Sequence, residues 1–140
     1  MTLLDTSVWI QVFRQRNPLD LEAVVPFEEV VVCLPVIQEI LQGFRDEHAF
    51  RVARDSLLAM PCVESPLDQD VFLEATDLYR RARRAGLTVR SGVDCLIAAC
   101  AIRNDLIVLH QDRDYSALAR ISPLRQTYFG TLARGRMPMS

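Results

Sequence analysis

An α/β fold, a central parallel sheet flanked by helices, is what the sequence predicts, and three observations carry it. The run Val30-Val31-Val32-Cys33 is apolar throughout and mostly β-branched, the pattern of a strand covered on both faces. Similar short apolar runs at 2–4 and 107–109 are separated from it by stretches with the helical period. No internal repeat or linker composition interrupts the 140 residues, a length suited to one domain.

The elements follow in order. The first strand, 2–4, leads into a helix from about Thr6 to Phe13 with Val8, Trp9, Val12 and Phe13 on one face. A turn at Asn17-Pro18 precedes a short helical piece, LDLEAVV. After the strand at 30–33, Pro35 opens a helix striped by Val36, Ile37, Ile40, Leu41 and Phe44. Residues 48–59 are a further helix and 61–64 a brief strand. Leu67, Val71, Ala75, Leu78, Tyr79 and Ala82 mark a long amphipathic helix over 67–85, closed by Gly86. Residues 92–103 are apolar on nearly every side, as in a helix buried on both flanks. A strand at 107–109, a short helix at 113–120 and a last strand at 126–129 complete the pattern. The domain is expected over 1–130, with a flexible tail at 131–140, where no period is left.

Composition narrows the chemistry. Half of the residues are hydrophobic and 24% are charged, ample apolar material for a core. No apolar run reaches the ~18–20 residues of a membrane helix. The first ten residues carry an acid and no base, unlike a secretory leader, so a cytoplasmic protein is expected. Cys33, Cys62, Cys95 and Cys100 lie in apolar surroundings without a Cys-x-x-Cys pair, which favours buried free thiols over disulfides or zinc. All 16 basic residues are arginine. Without lysine there is no P-loop, no Schiff base and no protein-kinase chemistry. A receiver domain, which relies on a lysine beside its phosphoacceptor, is disfavoured for the same reason.

Ligands of open α/β sheets sit beyond the carboxyl ends of the strands. Asp5 follows the first strand, Glu39 lies on the helix after the second, Asp94 opens the buried helix, and Asp112 and Asp114 follow the strand at 107–109. Each has an ordinary reading. Asp5 and Asp112 suit N-caps; Asp94, three residues after Ser91, suits a capping box; Glu39 shares a solvated face with Gln42 and Arg45. Jointly they point elsewhere. Asp94 is the only charge between Ser91 and Ile102, and an isolated buried charge must be paired or bound to a metal. A cluster of carboxylates stays ionised only when a cation holds it. Oxygen ligands without imidazole or thiolate select Mg²⁺ or Mn²⁺, as one ion or two.

The opening LLDTSVWI, Glu39 after the second strand, the stretch GVDCLIAACAI and VLHQDRDY, in that order, resemble PIN-domain ribonucleases. The resemblance, to the small VapC toxins of bacterial toxin–antitoxin pairs in particular, runs from about residue 1 to 129. It implies a metal-dependent endoribonuclease with Asp5, Glu39, Asp94 and Asp112 as its acidic set. Thr6 or Ser7 would be the hydroxyl beside the first acid. Asp114 is the alternative to Asp112 as the fourth acid, and is otherwise expected at the rim. Carboxylate-held metals hydrolyse phosphodiesters without a histidine base. Arg90, and Arg84 from the cluster Arg80, Arg81, Arg83 and Arg84, are candidate RNA contacts, while the cluster equally suits a solvated helix face balanced by Glu74 and Asp77. The resemblance also implies a cognate antitoxin and a homodimer. Trp9, Val12, Phe13 and Phe44 are expected to border the pocket as a groove for an amphipathic antitoxin segment, with a basic side chain of that segment reaching Asp5 or Asp94. The alternative is a non-catalytic PIN-like interaction protein, distinguished by whether the four acids converge.

Overall fold

Strand β2 (Val30–Cys33) is buried at every residue because it lies inside a sheet rather than at its edge. In this computed structural model, which describes residues 1–130, the sheet has five strands in the order β3-β2-β1-β4-β5. The others are β1 (Thr2–Leu4), β3 (Cys62–Val63), β4 (Ile107–His110) and β5 (Arg125–Tyr128). Every pair is parallel. The first strand is the axis: Leu3 pairs with Val31 on one side and Val108 on the other. From β1 the chain moves outward to β2 and β3, then returns across it to β4 and β5. That reversal opens a crevice beyond the carboxyl ends of β1 and β4, where the connections leave in opposite directions.

The helices follow the two directions. Those named α1 (Thr6–Phe13), α2 (Leu34–Leu41) and α3 (Glu47–Leu58) pack in series. The second set, α4 (Gln69–Arg84), α5 (Gly92–Arg103) and α6 (Arg113–Ala119), pack on one another. As expected, α5 is buried round most of its circumference, through Cys95, Ile97, Ala98, Ala99, Cys100 and Ala101. Its small side chains let α4 approach closely. Side-chain caps set the starts of α3 and α4, where Asp46 accepts from the Ala49 N–H and Asp68 from the Val71 N–H. Gly86 ends α4 at φ +76, and the Leu87 N–H donates back to the Ala82 carbonyl at 2.9 Å. All four cysteines are free, and burial pushes the Cys95 thiol up to about 11.

Several local expectations are corrected. LDLEAVV contains only one 3₁₀ turn, Leu21–Ala23, and a second 3₁₀ turn at Phe27–Glu29 leads into β2. The helix α2 stops at Leu41, so Phe44 lies in the following loop rather than on its stripe. Trp9 is 1% exposed, because α1 lies on the sheet through Val8 and Trp9, which leaves Ile10 outward at 59%. The tail expected at 131–140 lies outside the described residues. Among the described residues, no helix is long and apolar enough to cross a membrane.

Candidate metal centre

Asp5 is the first residue past β1, and its N–H donates to the Leu109 carbonyl of β4 at 2.9 Å. Its side chain caps α1: Oδ2 accepts from the Ser7 N–H at 3.0 Å and from the Ser7 hydroxyl at 2.6 Å. Ser7 Oγ in turn accepts from the Gln111 N–H at 2.9 Å, tying the loop after β4 to the same point. The carboxylate is 3% exposed. Capping and site-building are therefore one arrangement, since a carboxylate has about four lone-pair sites and the cap uses few of them.

Across the crevice, Asp94, Asp112 and Asp114 each place a carboxylate oxygen within 4.8 Å of the others. Asp112 caps α6 by accepting from the Asp114 N–H at 2.9 Å. Asp114 is not at the rim. It is 2% exposed, because the first turn of α6 faces the segment leading into α5, and it accepts from the N–H groups of Arg90 (3.0 and 3.1 Å) and Ser91 (3.1 Å). Ser91 makes no side-chain cap to α5, so the capping-box reading of Asp94 fails. Asp94 is 5% exposed, and its Oδ2 is buried with no hydrogen-bond partner among the described residues. Burial first, then the Asp5 charge and the adjoining Asp112 and Asp114, pushes its carboxyl up to about 9. An orphaned carboxylate oxygen among other carboxylates is what a divalent cation would satisfy, and an all-oxygen donor set fits a hard cation.

Two residues that the sequence did not single out hold this centre. Tyr115, fully buried on α6, donates its hydroxyl to Asp5 Oδ1 at 2.6 Å and stands 3.2 Å from Asp94 Oδ1. A phenol has one proton, so the shorter contact takes it. Burial and both carboxylates push that phenol well above its usual value. In the helical period Tyr115 reads as a core aromatic; only its hydroxyl hints at more. His110 is also fully buried, with Nδ1 accepting from the Asp112 N–H at 3.1 Å. That leaves Nε2–H to donate to Gln126 Oε1 at 2.6 Å. Burial lowers its pKa, so the ring is neutral and both nitrogens are engaged.

Glu39 stands apart from the Asp94 group. Its Oε1 accepts from the Thr6 hydroxyl at 2.7 Å, which joins it to the start of α1 beside Asp5. Glu39 also lines a groove of about 350 Å³ with Ile10, Phe13, Ile40, Gly43 and Phe44. Of the residues expected to border the acidic pocket, Phe13 and Phe44 line this groove but Trp9 and Val12 do not, and the groove, with Arg14 also on its wall, includes none of Asp5, Asp94, Asp112 and Asp114. Arg90 lines the crevice beside Asp112 and Asp114, whereas Arg84, exposed in the last turn of α4, is not among the crevice's lining residues.

Two outcomes follow from this geometry. A carboxyl whose folded pKa is raised contributes stability below its unfolded value, near 4, and loses it as pH rises toward 9. The metal-free protein should therefore lose melting temperature between pH 6 and pH 9. Asp94→Asn should flatten that slope and raise the pH 8 value by at least about 2–5 °C, the effect of roughly 1 kcal/mol in a chain this long. Scanning calorimetry in chelator measures both. Tyr115→Phe removes the donor to Asp5 while keeping the ring; urea unfolding should show a loss of about 1.5–3 kcal/mol, as for a hydrogen bond to a charged group.

Comparison with known proteins places this geometry. The PIN domain family model matches residues 2–121. The chain is 36% identical over 136 residues to VapC ribonuclease Mb1587 of Mycobacterium bovis, covering 92% of this chain and 99% of that protein. Ribonuclease VapC11 of Mycobacterium tuberculosis matches with the same identity and coverage. Among solved structures, VapBC-5 of Mycobacterium tuberculosis, a member of the VapBC family of toxin-antitoxin systems, superimposes with a TM-score of 0.65 at 26% identity, over 89% of this chain and 95% of that one. The crevice at the β1–β4 reversal is thus set in a known frame: the chain belongs to the PIN-domain family, within its VapC group.

Proposed function

We propose that this chain is a divalent-metal-dependent endoribonuclease, the toxin of a toxin–antitoxin pair, acting in the cytoplasm. The observation that carries it is the carboxylate cluster at the head of α5, where an unpartnered Asp94 oxygen lies among Asp112 and Asp114, with Asp5 one tyrosine hydroxyl away. Asp94, Asp112 and Asp114 would hold Mg²⁺ or Mn²⁺, with Asp5 adjoining. Such an ion, when bound, supplies charge neutralisation at the phosphate and acidifies water for attack at neutral pH.

The chain itself supplies the positioning. Ser7 and Tyr115 fix the two oxygens of Asp5, and the Arg90 and Ser91 N–H groups fix Asp114. Preset carboxylates meet the substrate without reorganising. His110 is buried with both nitrogens engaged and there is no lysine, so proton transfer falls to the carboxylates. The 36% identity to proteins named VapC ribonucleases, over nearly the whole chain, supports RNA as the substrate.

The partner is proposed to be an antitoxin carrying an amphipathic segment. It would lie on the groove of α1 and α2, where Ile10 is exposed and the Phe13 and Phe44 rings meet edge to face at 5.9 Å. A basic residue of that segment would reach Glu39 on the groove wall rather than the buried Asp5 or Asp94. A homodimer would use the exposed Phe72, Leu73 and Tyr79 of α4.

RNA incubated with the protein should be cut in Mg²⁺ and left whole in chelator. Asp94→Asn should lower kcat/KM by roughly 10²–10³-fold, the scale of losing one electrostatic stabiliser. Cleavage unaffected by chelator and by this substitution would sink the reading. The protein encoded beside this one should co-purify with it and silence the cleavage. Ile10→Glu should break that complex and leave cleavage intact.

A further inference from the structure

Beyond the acids the crevice widens into a groove of about 650 Å³, within the roughly 300–1,000 Å³ of small-ligand sites. Arg90, Arg113 and Tyr128 line it together with Asp112 and Asp114. The two arginines stand beside carboxylates, yet among the described residues neither guanidinium enters an ion pair. Their main chains are anchored all the same. The Arg90 N–H is bonded to the Asp114 carboxylate, and Arg113 is the first residue of α6. Two exposed cations thus stand on fixed stems at the edge of a negative crevice.

Tyr128 ends β5 and is 37% exposed. Its ring is held from within: the centroid lies 5.9 Å from that of His110 at an interplanar angle of 77°. The chain at Gly130 passes so close that a Cβ there would come 2.3 Å from Tyr128 Cε1. His110 and the backbone at Gly130 thus cover part of the ring, and among the described residues the rest of it lines the groove with both arginines.

We propose that this groove is a subsite for one unpaired nucleotide of RNA, its base stacked on Tyr128 and its phosphate held between Arg90 and Arg113. The proposal rests on the ribonuclease reading of the adjoining acids. Guanidinium forks match phosphate oxygens in pairs, and here they offset the repulsion that Asp112 and Asp114 exert on a phosphate. Stacking on an aromatic ring tolerates any base but requires one free of its own neighbours, which suits the single-stranded or looped RNA that the family resemblance implies.

The test is fluorescence anisotropy of a labelled single-stranded RNA octamer in chelator across a salt series, paired with kcat/KM in Mg²⁺. Tyr128→Ala should weaken binding about 10-fold, as for the loss of one base–aromatic stack, and lower kcat/KM alongside. Tyr128→Phe, which keeps the ring, should recover most of both. Arg113→Gln should reduce the slope of log K against log salt by about 0.7, the loss of one phosphate contact on a single strand. The preference for single-stranded over duplex RNA should shrink with Tyr128→Ala. If the wild-type protein binds and cuts RNA while Tyr128→Ala and Arg113→Gln bind as it does, the subsite is overturned and the ribonuclease reading stands. If the wild-type protein neither binds nor cuts RNA, the ribonuclease reading falls and the subsite with it.

Discussion

Like charge confined in a dry crevice is the constraint around which this molecule is arranged. Asp5, Asp94 and Asp114 are nearly inaccessible to water, and Asp112 is half-buried beside them. In such surroundings each carboxylate needs donors, and the fold distributes them unequally. Asp5 has Ser7 twice and Tyr115; Asp114 has two backbone N–H groups; Asp112 has one. Asp94 has only the phenol oxygen 3.2 Å from its Oδ1, the proton of that phenol going to Asp5, and leaves Oδ2 unpartnered. Burial and the neighbouring carboxylates together push the Asp94 carboxyl up to about 9.

The centre costs little extra structure because it is assembled from parts a doubly wound sheet needs anyway. Asp5 and Asp112 cap helices at the ends of adjacent strands, on either side of the point where strand order reverses. The first turn of α5 delivers Asp94, and the backbone entering that turn clamps Asp114. Tyr115 is core packing along its ring and a polar bridge at its tip. The ordinary and the functional readings of these residues describe the same hydrogen bonds.

Legibility in the sequence tracked how local the determining force is. The consecutive apolar residues of β2 and the all-round apolar α5 stood out, because burial on both sides leaves no other composition open to them. Gly86 stood out because the left-handed C-terminal stop of α4 suits glycine. The face of α1 was harder: Trp9 and Ile10 are both apolar, and only docking against the sheet sends one inward and the other to solvent. Asp112 and Asp114 are alike as text, and both turned out to face the same centre.

By itself the sequence determined the α/β class, the absence of lysine chemistry, and the placement of acids at strand ends, all of which depend on composition and on neighbours within a turn or two. Tertiary structure alone decided that Asp114 is buried, that Glu39 bonds to Thr6 beside a separate apolar groove, and that Tyr115 joins Asp5 to Asp94. Asp5 and Tyr115 are 110 residues apart in the chain. Their hydroxyl–carboxylate contact exists only once β1 and β4 have paired, which fixes the rotation of α6 above them; no local propensity encodes that rotation.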